Sequence, residues 1–221
     1  MTWRVVLVVL AVGQVVSPVL VTALGGGEFT TSDRAGEPAI VPAGYAFSIW
    51  GLVEALCLAY AVWALVTRTP GQQVRDRLAR PLSVVFAGFT LWLVAAEVEP
   101  VWSTVAVFVV MVTALLKALS TALRHAADIA RWHRAPRVLL WSMLGVYTGW
   151  SSVAIWVNLT TALAESGAPV DGPVGVAWAL VAVVVAAAQA GQPVPAVIAA
   201  VASVCVGAAT ALFRLRRPAL S

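Results

Sequence analysis

Charge is scarce in this chain. Asp, Glu, Lys and Arg make up 11 % of its 221 residues, against about 25 % in an ordinary soluble domain. No stretch is polar enough and long enough to fold as a separate water-soluble domain. Cysteine is scarcer still. Cys57 and Cys205 both fall in apolar segments, which argues against a structural disulfide. Catalytic signatures are missing too: no Walker loop, dinucleotide fingerprint, zinc-ligand spacing or nucleophile motif. The residues point to neither an enzyme nor a resident cofactor or metal.

Apolar length is what the chain has instead. Hydrophobic residues reach 61 % and come in runs of roughly 20, the length that crosses a hydrocarbon core about 30 Å thick. The class is an all-α integral membrane protein. The net charge of +4 does not imply nucleic acid, because the basic residues lie in short loops between apolar runs. There they act as topology signals and as contacts to anionic lipid.

Seven helices are expected. Helix 1 covers about residues 3–24, ending at Gly25-Gly26-Gly27. Its apolar run is too long for an ordinary signal peptide, whose core is about 7–15 residues, and Gln14 and Pro18 interrupt it. Helix 2 runs from about Tyr45 to Val66, and helix 3 from Pro81, a good first-turn residue, to near Glu97. Helix 4 covers about 101–123 and helix 5 about 137–163. Helices 6 and 7 follow at about 174–190 and 196–213, with Pro193 and Pro195 between them. The first five form one unit, 1–163, and 164–221 an added helical hairpin with a short basic tail.

The arginines set an orientation. Arg68, Arg75, Arg77 and Arg80 follow helix 2, and Arg124, Arg131, Arg134 and Arg137 follow helix 4. Loops on the other side carry Arg34 alone, with Glu28, Asp33, Glu37, Glu97, Glu99, Glu165 and Asp171. The positive-inside rule then puts the N-terminus in the cytoplasm, in keeping with a bacterial inner (plasma) membrane. Arg214, Arg216 and Arg217 oppose this if all seven helices cross, so the side of the C-terminus stays open.

Polar residues within the apolar helices are the candidates for function. Glu54 lies about nine residues into helix 2, near mid-bilayer, where a carboxyl costs on the order of 2.5–3.5 kcal/mol. Either it meets a ligand or a proton, or it is a protonated acid bonded to a neighbouring helix. Lys117 is close enough to the inner end of helix 4 to snorkel; an ion pair with Glu54 is the alternative. Tyr147, Trp150, Ala154 and Asn158 share one stripe of helix 5. Gly145, Gly149, Ser152 and Trp156 form a second row whose glycines allow close helix contact. The Asn158 amide is suited to interhelical bonding or to lining a pocket.

The ten tryptophans divide by depth. Trp3, Trp63, Trp102 and Trp178 suit an interfacial belt, which Trp132, in the second basic loop, could join. Trp50, Trp92, Trp141, Trp150 and Trp156 are more internal; Trp50 and Trp150 share stripes with polar groups. Core packing and pocket lining are both open to these rings. His125, His133 and Asp128 sit in a basic loop without a ligand signature.

The order Tyr147-x-x-Trp150-x-x-x-Ala154-x-x-x-Asn158 resembles the translocator protein family, also called tryptophan-rich sensory proteins (TspO/MBR), with Val146 where that family has proline. Pro42-Ala43-Gly44-Tyr45-Ala46-Phe47 is similar to its Pro-Pro-x-Trp-x-Phe entry into the second helix, and Trp50-Gly51-Leu52 to its Trp-Thr-x-Leu-Tyr. The Phe-to-Trp gap is one residue shorter here, and Glu54 stands near the replaced tyrosine. Trp92 is kept in helix 3, while Phe89 occupies the family's Asn position. The resemblance covers roughly residues 1–163, without a counterpart beyond about 165.

The resemblance implies a five-helix bundle whose pocket opens toward the helix 1–2 loop. It also implies a non-enzymatic receptor or carrier for a porphyrin-like (tetrapyrrole) or sterol-like ligand, with a transport or sensing role. Phe47, Trp50, Glu54, Trp92, Tyr147, Trp150, Ala154 and Asn158 are the candidate ligand-binding residues. The partners are that small molecule and the lipid bilayer, with a homodimer left open. Two other classes stand beside it: a proton-linked small-solute transporter using Glu54, and a structural membrane subunit without a ligand.

Overall fold

In the computed structural model every regular element among the described residues, 2–24, 26, 44–67, 71–97 and 102–168, is helical. Helix α1 is Thr2–Ala23, and a single 3-10 turn, Gly44–Ser48, leads into α2, Ile49–Val66. Then come α3 (Gln72–Glu97), α4 (Trp102–Arg124), the short α5 (Ala126–Ala130) and α6 (Arg134–Glu165). Five of these segments are long and apolar enough to cross a membrane. The expected helices 6 and 7, with Trp178 and Cys205, lie outside the described residues.

The helices are amphipathic in the sense a bilayer demands. On α1, Leu7, Ala11, Gln14 and Ser17 are buried, while Val5, Val9, Val12, Val16 and Val19 are exposed. Both rows recur at three- and four-residue steps, so each is one side of the helix. The outer row is as apolar as the inner one, which suits a face against hydrocarbon rather than water.

Two compact units divide the chain: Met1–Gly27 with Trp50–Thr148, and Glu28–Ile49 with Gly149–Ser221. The first holds α1, nearly all of α2, α3, α4, α5 and the first half of α6. At its centre α3 packs along α4 and along α1. Its core includes Leu78, Leu82, Val85, Phe86 and Phe89 of α3 with Phe108, Met111 and Leu115 of α4. Gly88 permits the close approach, since a Cβ there would stand 3.1 Å from the Met111 Cβ.

Helix 3 does not start at Pro81. It begins nine residues earlier, at Gln72, and Pro81 lies inside it. The stretch 72–80 reads as a basic loop by composition, but Val74, Leu78 and Ala79 continue the buried row into Leu82. Arg75 belongs to that row. Its guanidinium donates to the Thr67 carbonyl at 2.8 Å and stacks 5.2 Å from the Trp63 ring. Packing of this kind offsets the roughly 3 kcal/mol cost of an interior proline.

Trp132 is not a belt residue. It is buried and stacks on Trp63 with ring centroids 5.1 Å apart. Gly71, at φ 79°, lets the chain turn directly beneath its indole. The loop expected between helices 4 and 5 includes the one-turn α5, whose Ile129 is buried. Trp3 and Trp102 are exposed, as belt residues should be.

Candidate functional site

The aromatic cluster of the first unit is assembled from four helices, α2, α3, α4 and α6. Trp50 opens α2 and reaches Phe89 of α3, ring centroids 4.8 Å apart, and Trp92 one turn further on, at 5.8 Å. Tyr147 of α6 meets Trp50 edge-on at 5.7 Å. Trp92 in turn meets Phe108 of α4 at 5.8 Å. Offset and edge-to-face contacts in this distance range stabilise aromatic pairs beyond their burial, by about 0.5–1.5 kcal/mol each.

The polar side of this cluster comes from α1. Gln14 is fully buried, and its Nε2 donates to the Tyr147 hydroxyl at 3.2 Å. That hydroxyl points on to the Met111 sulfur at 3.6 Å, a weak acceptor. The Gln14 Oε1 is buried without a hydrogen-bond partner among the described residues. A lone amide in an apolar helix was the signal for Gln14, and in the sequence it served only to interrupt a hydrophobic run. In the sequence Phe89 stands out only as a substitution at a family position; here its ring packs 4.8 Å from that of Trp50.

Glu54 lies one turn beyond Trp50 on α2 and is 9 % exposed. Among the described residues no ion pair or hydrogen bond holds its carboxyl. The alternative pairing with Lys117 is not made. Lys117 is exposed and lines a basic groove at the end of the bundle.

The second unit holds the other four candidates. Phe47, in the turn before α2, meets Trp150 edge-on with centroids 6.0 Å apart. Ala154 is buried one turn beyond Trp150. Asn158 turns its amide back along its own helix, donating to the Ala154 carbonyl at 2.8 Å. The stripe read from the sequence therefore joins Trp150, Ala154 and Asn158 along one row of α6. Trp156, on the other row, is half-buried.

A family model described as TSPO-like protein matches residues 3–191. The chain belongs to this TSPO-like family. The match covers every described helix and continues past residue 163, where the resemblance drawn from the motifs stopped, through the segment expected to form helix 6. No curated protein and no solved structure matches the chain. Membership in the TSPO-like family, together with five helices long and apolar enough to cross a bilayer, makes the chain an integral membrane protein; the family in general binds hydrophobic ligands.

The remaining titratable groups offer little chemistry. His125 Nδ1 stands 3.5 Å from Asp128, an ordinary contact one turn apart. Among the described residues no three ligand-type side chains converge as a metal site would require. Cys57 is a buried free thiol.

Proposed function

We propose that this TSPO-like protein is a non-enzymatic membrane receptor or carrier for a flat, hydrophobic ligand of tetrapyrrole or sterol type. The observation that carries the proposal is the convergence of Trp50, Phe89, Trp92 and Tyr147 from three helices. Such walls suit a ring system, and the few polar groups beside them, Gln14 and Glu54, are of the kind that orient a bound molecule. Phe47, Trp150, Ala154 and Asn158, in the second unit, are the further ligand-contacting residues that the family motif proposes. The orientation proposed with it puts the basic loops in the cytoplasm of a bacterial inner membrane.

Titration of the detergent-solubilised protein with protoporphyrin, followed by the porphyrin absorbance band and by tryptophan quenching, tests this. Saturable binding is expected. It should be lost in Trp50→Ala and Trp150→Ala and kept in Trp3→Ala, whose ring is exposed. Unchanged binding in both of the first two variants rules the site out.

A second reading rests on Glu54, a buried acid without an ion-pair partner among the described residues. In that reading the protein is a proton-linked transporter of a small solute. Uptake into proteoliposomes driven by a pH gradient and abolished by Glu54→Gln would establish it, and absence of any gradient-driven uptake would remove it.

A further inference from the structure

Away from the aromatic cluster, the first unit has an open groove of about 1280 Å³ between the start of α1, the start of α3 and the last turns of α4. Small-molecule sites are usually about 300–1,000 Å³, so this one is roomy and also open to one side.

Its walls change character along their length. On α4 the lining row is Val110, Thr113, Lys117, Thr121 and Arg124, steps of three and four residues that keep one face. On α3 the row runs from Arg77 and Arg80 to Val84. The cations gather at the bundle end where α3 begins and α4 stops, and the valines lie deeper. The distance from Arg124 to Val110 is about 21 Å along the helix at 1.5 Å per residue.

Local contacts leave this positive charge largely uncancelled. Asp76, the one acid among the described lining residues, is taken by Arg4 at 2.9 Å. Arg77, Arg80, Lys117 and Arg124 make no ion pair among the described residues. Arg80 instead lies over the Trp3 ring at 5.6 Å. Arg124 donates to the Thr121 hydroxyl at 3.1 Å, which keeps its guanidinium against the groove wall.

We propose that this groove is a binding site for an anionic phospholipid of the adjacent leaflet. The phosphate and any further headgroup charge meet Arg80, Lys117 and Arg124, and one acyl chain lies along Val84, Val109 and Val110. A gradient from cations at the rim to exposed valines within matches the gradient of one lipid molecule. A soluble anion would leave the apolar half of the groove against water, and an acidic peptide would place polar backbone there. The site is separate from the aromatic cluster and does not depend on the ligand proposed for it.

Native mass spectrometry of the full-length protein, released from micelles doped with phosphatidylglycerol or phosphatidylcholine, tests the proposal. One or two retained phosphatidylglycerol molecules are expected in preference to phosphatidylcholine. Each of Arg80→Gln, Lys117→Gln and Arg124→Gln should weaken that preference about fivefold, the effect of one basic residue at an anionic surface. All three positions are exposed, so the folded state should tolerate them. Asp76→Asn, which releases Arg4, should strengthen the preference. Arg131→Gln, an exposed arginine outside the groove, should leave it unchanged.

Equal retention of the two lipids would overturn the proposal, as would a preference that survives the triple glutamine variant. Displacement of the retained lipid by millimolar glycerol 3-phosphate would also overturn it, because the groove would then be a site for free phosphate esters.

Discussion

Gln14 on the first helix and Tyr147 on the last described one are joined by a hydrogen bond of 3.2 Å that spans 133 residues of sequence. Both side chains are buried, Gln14 completely and Tyr147 to 1 % exposure. The bond ties the first helix to the helix that carries the family motif, beside the rings of Trp50 and Trp92. It also links α1 to the aromatic cluster, so its strength bears on how firmly the cluster is held.

Interhelical hydrogen bonds within membrane proteins average about 0.6 kcal/mol by double-mutant cycle and reach about 1.7. A cycle of Gln14→Leu and Tyr147→Phe, read from thermal unfolding in detergent, should return a coupling in that range. Tyr147→Phe alone should cost more than the double variant, because it strands the buried amide. A coupling of zero would mean that the amide and the hydroxyl are satisfied elsewhere.

Much of this arrangement was legible in the sequence, and the part that was not has a physical reason. Apolar runs marked five helices because a bilayer forces spanning segments to be long and continuous. The spacing from Tyr147 to Asn158 identified α6 because it repeats at helical period. The start of α3 was hidden, since residues 72–80 are polar in composition and become helical through tertiary contacts, Arg75 against Trp63 above all. Trp132 was misplaced for the same reason: a tryptophan in a basic loop resembles a belt residue until its stacking partner is known. Gln14 gave too weak a signal alone, because one amide in an apolar helix has no partner in the sequence. Four of the eight proposed site residues fall in each of the two compact units, a division that no local pattern carries.

Glu54 should tolerate loss of its charge. With no ion pair among the described residues, Glu54→Gln removes a group that is costly in hydrocarbon without stranding a described cation. The unfolding midpoint should stay level or rise. A loss of more than about 3 kcal/mol, the scale for breaking a buried pair, would reveal a partner for the carboxylate.

Gly71 should resist substitution for two independent reasons. Its φ of 79° disfavours any side chain, and a Cβ would run into the Trp132 indole. Gly71→Ala should therefore destabilise by about 1–3 kcal/mol from the backbone alone, and by more with the clash. In a Trp132→Ala background the clash is gone and only the backbone cost should remain. Differential scanning fluorimetry on the four proteins separates the two contributions. If Gly71→Ala costs the same in both backgrounds, the chain does not pass beneath Trp132 as described.

Gly88 offers the sharper test of the α3–α4 contact, because two opposing effects act on one substitution. Alanine in place of an interior helical glycine gains about 1 kcal/mol from propensity. Against that, the new Cβ would stand 3.1 Å from the Met111 Cβ and 3.2 Å from its Cγ. Met111 is fully buried, and its sulfur lies against the Tyr147 hydroxyl. Both close atoms are near the backbone, where the thioether's flexibility is of little help, so relief requires the helices to move apart. Overpacking of this kind costs about 1–3 kcal/mol, and Gly88→Ala should be destabilising on balance. Gly88→Leu should be worse. In a Met111→Ala background most of the obstructing side chain is gone, and Gly88→Ala should become neutral or stabilising. Thermal unfolding of the single and double variants reads that change of sign, and a stabilising Gly88→Ala in the native background would show that α3 and α4 are not packed this closely.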